Sequence, residues 1–115
     1  MIANRRRYLR MPASVEVIVH TPGGSLKGLS VDISEQGMLL KIGDPPAVGS
    51  LLRISFRLLP RELPIDVTAM VKRIDDHGRA GLLFSHITPP DQQRIKNFID
   101  ELRQKHAVNR SGLKI

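Results

Sequence analysis

Leu52-Arg53-Ile54-Ser55-Phe56-Arg57-Leu58 is the run that decides the fold. Apolar and polar residues alternate along it, the period of two that turns one face of a β-strand to a core and the other to water. Similar runs lie on both sides. Upstream, Val15, Val17 and Val19 alternate between Ser14 and His20, and Thr21-Pro22-Gly23-Gly24 follows as a turn. Leu26 to Ile33 and Met38 to Ile42 read as two further strands. They are joined by Ser34-Glu35-Gln36-Gly37, with glycine where a positive φ is expected. Gly43-Asp44-Pro45-Pro46 breaks the chain before the central run. Downstream, a loop from Pro60 to Pro64 leads to Ile65, Val67, Ala69 and Val71, a fifth strand. Asp75-Asp76-His77-Gly78 is a hairpin turn, and Ala80 to Phe84 is the sixth strand.

Thr88-Pro89-Pro90-Asp91 then announces a helix. Thr88 suits the N-cap and Asp91 the third helical position, while prolines in the first turn forfeit no needed hydrogen bond. Ile95, Phe98, Ile99 and Leu102 recur at i, i+3, i+4 and i+7, one apolar face. The pattern predicts a mainly all-β fold: a six-stranded antiparallel β-barrel with a C-terminal α-helix and an N-terminal extended arm. Closure removes sheet edges that would invite aggregation. The expected organisation is a flexible arginine-rich arm over residues 1–12, barrel plus helix over 13–104, and a basic tail over 105–115.

The chain has 115 residues, enough for one domain that buries roughly two-thirds of its unfolded surface. No apolar run is long enough to span a bilayer, and no apolar segment follows the N-terminal arginines to make a secretory signal. The absence of cysteine excludes disulfides and thiol chemistry, and a cytoplasmic location is expected. The net charge of +7, from 18 Lys+Arg against 11 Asp+Glu, favours an anionic partner. Aromatic residues make up only 3%, too few for the stacking platform of a single-strand nucleic-acid binder.

Two segments carry chemistry. Asn4-Arg5-Arg6-Arg7-Tyr8-Leu9-Arg10 is a cationic fork, and Val31-Asp32-Ile33-Ser34-Glu35-Gln36-Gly37-Met38 is a polar turn between apolar runs. A guanine nucleotide with phosphodiester linkages fits both. Its N7 and O6 match an arginine fork, its N1–H and amine match a carboxylate, and its phosphates want charge-assisted donors. Arg6 and Arg10 can meet the first and third needs, Asp32 and Ser34 the second. Gly37 leaves room for ligand because it carries no Cβ.

Arg6-x-x-x-Arg10 followed by Asp32-x-Ser34-x-x-Gly37 resembles the two-part signature of the PilZ domain, a bacterial receptor for cyclic di-GMP. Pro12, the apolar strand after Gly37, and Gly81-Leu82-Leu83-Phe84 extend the likeness over about residues 4–104. The resemblance implies a six-stranded barrel whose arm folds over its outer surface. It implies that Arg6 and Arg10 grip phosphate and guanine, that Asp32 and Ser34 hold the guanine edge, and that Gly37 shapes the turn. Arg5, just before the first motif, implies an intercalated ligand dimer. Met38 and Arg7 are weaker candidates for the remaining pocket wall. Expected outputs are control of motility, exopolysaccharide, biofilm or virulence through a separate effector protein.

The alternatives are a small-barrel nucleic-acid binder, or a PilZ-like module that binds no ligand and works by protein interaction. No catalytic residue, cofactor or metal ligand is expected. The scattered His20, His77, His86 and His106 lack metal-ligand spacing, Asp75-Asp76 reads as a solvated turn, and no histidine is placed to activate Ser34.

Overall fold

The central run is a strand because its alternation is satisfied on both faces: Leu52, Ile54 and Phe56 are buried, Arg53 and Arg57 exposed. The structure, a computed structural model, describes residues 8–112. The strands are β1 (Met11–Pro12), β2 (Glu16–Thr21), β3 (Gly24–Ser34), β4 (Gly37–Lys41), β5 (Leu51–Phe56), β6 (Ile65–Ile74) and β7 (Ala80–His86), followed by α1 (Pro89–Gly112). They form one antiparallel sheet in the order β1-β3-β2-β5-β6-β7-β4, and β3 also pairs with β4. That last pairing closes a six-stranded barrel, with β1 added on the outer end of β3.

One strand does double duty. The first half of β3 pairs with β2 and the second half with β4, which requires the strand to bend. The bend is a β-bulge between Ser30 and Asp32. Gly28 and Ser30 are buried inside the barrel, so strict alternation would send Asp32 inward as well. The extra residue Val31 resets the phase: Asp32 turns outward and Ile33 is buried. A second bulge lies between Val71 and Arg73 on β6. There Lys72 is the extra residue, Arg73 turns outward and Ile74 packs on the core.

The interior is filled by the inward residues of every barrel strand, among them Val17, Ile33, Met38, Leu40, Ile54, Ile65, Val71 and Leu82. Phe56 and Phe84 stack with ring centroids 6.2 Å apart. The helix begins as the residues direct: Asp91 donates its amide to Thr88 Oγ1 at 3.3 Å. Ile95 and Ile99 are buried in the common core, and Phe98 and Leu102 pack against it. The helix rests on β1 and β3, the strands beside Arg10 and Asp32. It continues past Leu102 to Gly112, beyond the apolar face that predicts it.

β1 lies within the stretch read as an arm. Met11 pairs with Ile33 and is buried, and Pro12, which has no N–H to donate, sits at the sheet edge opposite Asp32. Between β1 and β2 the buried Ser30 hydroxyl adds to the backbone bonds that Ala13 and Val15 make with Val31 and Ser30. It accepts the Val15 amide at 2.8 Å and donates to the Ala13 carbonyl.

The turn at Ser34–Gly37 corrects one expectation. Positive φ among the described residues occurs only at Gly24, Gly49 and Gly78, so Gly37 is not a left-handed residue. Its constraint is contact. A Cβ at Gly37 would come within 2.0 Å of the Leu82 carbonyl oxygen on β7. Glycine there lets β4 and β7 close the barrel.

Candidate functional site

Asp32 and Arg10 meet on the outside of the wall. Arg10 Nη1 donates to Asp32 Oδ1 at 2.6 Å, with half of the arginine side chain and a quarter of the aspartate exposed. The bulge at Val31 aims the carboxylate outward, and β1, anchored by Met11 and Ser30, delivers Arg10 to it. The two signature segments are therefore joined by a direct contact. Arg5, Arg6 and Arg7 lie outside the described residues.

Ser34 sits two residues on in the same strand, in phase with Asp32, and is covered to 3% exposure. Its hydroxyl accepts the Gln36 and Gly37 amides, each at 3.2 Å. In this arrangement Ser34 secures the turn. The Gln36 carbonyl accepts the Phe84 amide at 2.7 Å, tying the turn to β7. Met38 is fully buried in the core.

Strand register continues the site sideways. Pro12, Asp32, Leu39, Gly81 and Arg73 are successive partners across β1, β3, β4, β7 and β6. Leu39 faces away from the barrel interior and is absent from the core cluster, yet it is only 8% exposed. This row offers a carboxylate paired with a guanidinium, a covered apolar step, a bare stretch of backbone at Gly81, and a second guanidinium. Sequence reading missed Ser30, whose bonds reach Ala13 and Val15 across the fold, and Arg73, whose outward turn depends on the bulge at Lys72.

Two other surfaces were not foreseen. His20, Ser55 and Asp66 form a hydrogen-bonded line across β2, β5 and β6: His20 Nε2 is 2.9 Å from Ser55 Oγ, and that hydroxyl donates to Asp66. The order does not make a nucleophile, because the serine proton is directed at a carboxylate rather than at the imidazole. A groove of about 570 Å³ lies against Lys27, Leu29, Lys41, Ile42, Pro45 and His77 and shares no residue with the Asp32 row. Among the described residues no group of three or more His, Cys, Asp or Glu could hold a metal. Nor is any described helix long and apolar enough to cross a membrane.

Fold and site together define a class: a small closed β-barrel with its polar site on the outer wall and a terminal helix resting beside it. The chain belongs to the PilZ domain family, which it matches over residues 4–101. Among solved structures it is similar to the Bacillus subtilis inhibitor of motility MotI/DgrA, at 30% identity and a TM-score of 0.74 over 88% of this chain. It is similar in fold to Escherichia coli YcgR in complex with c-di-GMP, at 17% identity and a TM-score of 0.80 over 95% of this chain. The isolated PilZ domain of YcgR with c-di-GMP matches at 18% identity and a TM-score of 0.71, over 94% of this chain and 98% of that one. This chain spans 53% of MotI/DgrA and 50% of YcgR, about half the length of each. No curated protein sequence matches it.

Proposed function

We propose that this domain is a receptor for cyclic di-GMP that signals to a partner protein through the position of its N-terminal arm. The observation that carries the reading is the Arg10–Asp32 contact on one outer surface. It brings a donor fork and an acceptor carboxylate within reach of a single guanine. Asp32, which retains a second carboxylate oxygen, and Ser34 hold the guanine edge at its N1–H and amine. Arg6 and Arg10 supply donors to phosphate and to N7 and O6, and Arg5 serves a second, intercalated ligand molecule. Membership of the PilZ family and the cyclic di-GMP complexes of YcgR support the choice of ligand.

The arm supplies the switch. Four arginines stand within residues 5–10, with no acid among them, so they repel one another when no anion is present. Fixing about eight residues costs on the order of 8–16 kcal/mol. Several charge-assisted contacts at roughly 1.5–3 kcal/mol each, together with stacking, offset that cost when a polyanionic ligand is bound. The ordered arm then forms a surface for a separate effector controlling motility, exopolysaccharide, biofilm or virulence.

Calorimetric titration with cyclic di-GMP, set beside a salt series with RNA and DNA, tests the reading. Saturable nucleotide binding that is lost in Arg6→Ala and Asp32→Ala is expected. Salt-steep nucleic-acid binding indifferent to Asp32 would replace it with the nucleic-acid reading, and no binding at all with the ligand-free interaction module. For the switch, amide exchange in residues 4–12 should slow on adding ligand.

A further inference from the structure

We infer that Arg73 is a further ligand-binding residue, forming the wall of the site opposite Asp32; the inference rests on the cyclic di-GMP reading above. Three independent features of the barrel converge on it. The first is the bulge at Lys72. Ile65, Val67, Ala69 and Val71 all face inward, and without the extra residue Arg73 would follow them into the core. The bulge turns it outward, just as the bulge at Val31 turns Asp32 outward. Bulges commonly re-aim a side chain beside a functional surface.

The second feature is register. Arg73 pairs with Gly81, Gly81 with Leu39, and Leu39 with Asp32, so both re-aimed charges stand in one row on the same outer face. Three strand spacings separate their backbones, about 14 Å along the sheet.

The third feature is Gly81. A Cβ built there would lie 3.1 Å from Arg73 Cγ, 3.4 Å from its Nε and 3.7 Å from its Cζ. The arginine therefore lies across β7 in the space a side chain would otherwise fill, which brings its guanidinium one strand nearer to Asp32. Arg10, Arg79 and Arg94 each have a carboxylate partner. The Arg73 side chain has neither a hydrogen-bond nor an ion-pair partner among the described residues. A planar fork held flat on the backbone, facing a carboxylate across an apolar step, suits a purine read from both edges or stacked beneath the guanidinium plane. The Asp32 carboxylate takes the donor edge of the base, and Arg73 meets the ligand from the other side.

Calorimetry with cyclic di-GMP on Arg73→Ala, Arg73→Lys, Lys72→Ala and Asp32→Ala decides the matter, with thermal unfolding of each variant confirming the fold. Arg73→Ala should weaken binding about tenfold, the worth of one charge-assisted contact. Arg73→Lys should recover little of the loss, because an ammonium has neither plane nor fork. Lys72→Ala, which removes the same charge from the neighbouring position, should bind like the parent. Gly81→Ala, which displaces the Arg73 side chain without touching its charge, should weaken binding in the same sense. Equal affinity in Arg73→Ala and the parent would overturn the assignment while leaving the receptor reading intact. Full rescue by lysine, or an equal loss in Lys72→Ala, would overturn it too by reducing the effect to net charge. A parent protein without saturable binding would remove the receptor reading and this one with it.

Discussion

Arg10 and Asp32 are bonded to each other, Nη1 to Oδ1 at 2.6 Å, across 22 residues of chain. Two groups expected to hold different parts of one ligand are therefore already in contact with each other. The pair has a geometric consequence: it draws the start of β1 onto the outer wall and points the approach of the arm toward Asp32. On the proposed reading, a guanine edge must either share the carboxylate or displace the arginine toward another part of the ligand.

The pair should matter far more for affinity than for stability. Both side chains are partly exposed, so their Coulomb attraction is screened and is worth about 0–1 kcal/mol. A double-mutant cycle of Arg10→Ala and Asp32→Ala, read by chemical denaturation, should give a coupling within that range. Each single variant should lose cyclic di-GMP binding by roughly tenfold to a hundredfold, as expected when one or two charge-assisted hydrogen bonds go. A large stability coupling with unchanged affinity would mark the pair as structural.

Gly37→Ala should act on the barrel before it acts on any ligand. The clash it creates, 2.0 Å to the Leu82 carbonyl oxygen, is with backbone, so no rotamer change relieves it. The seam between β4 and β7 must open, at a cost of about 1–3 kcal/mol or more. Gly81→Ala, whose new methyl meets only the movable Arg73 side chain, should cost much less. Urea midpoints for the two variants would check the order.

Ser30→Ala should loosen the root of the arm. The hydroxyl is buried and bridges the Val15 amide and the Ala13 carbonyl in the short segment between β1 and β2. Removing it leaves a buried donor and acceptor unsatisfied, which costs about 1–3 kcal/mol. Faster amide exchange at Val15, with the β5–β6 ladder unaffected, would locate the loss.

What could be read from the sequence were features whose cause is local. Leu52, Ile54 and Phe56 announce a strand by their own spacing, and Thr88 with Asp91 announces a helix start by hydrogen bonds within four residues. Asp32 and Arg10 stand out because the two motifs that hold them occur together, in order and at the spacing that resembles the PilZ signature. Features caused by distant neighbours were illegible. Whether Val31 and Lys72 bulge depends on the strands beside them, and so therefore does the outward turn of Asp32 and Arg73. Gly37 looked like a turn glycine because its neighbour in the turn was visible and Leu82, 45 positions further on, was not.

The β6–β7 hairpin carries a pH signature of its own. The amide of Arg79 donates to Asp75 Oδ1 at 2.9 Å, as does that of His77, while Arg79 Nε donates to Oδ2 at 2.7 Å. Chiefly through the Arg79 amide, these contacts hold the Asp75 carboxyl at about 2, below its ordinary 3.8. A depressed folded value means that the stabilisation is fully present above about 3.8 and is lost as the pH falls toward 2. Stability of the parent protein should therefore decline across that window relative to Asp75→Asn, which has no charge there to lose. The variant should be the less stable of the two at neutral pH, with the difference shrinking on acidification. Because Arg73 lies just before this turn, ligand affinity measured in Asp75→Asn at neutral pH also shows whether a firm hairpin is needed to hold the guanidinium over Gly81. A carboxyl titration by NMR that placed Asp75 near 4 would remove the basis for both expectations.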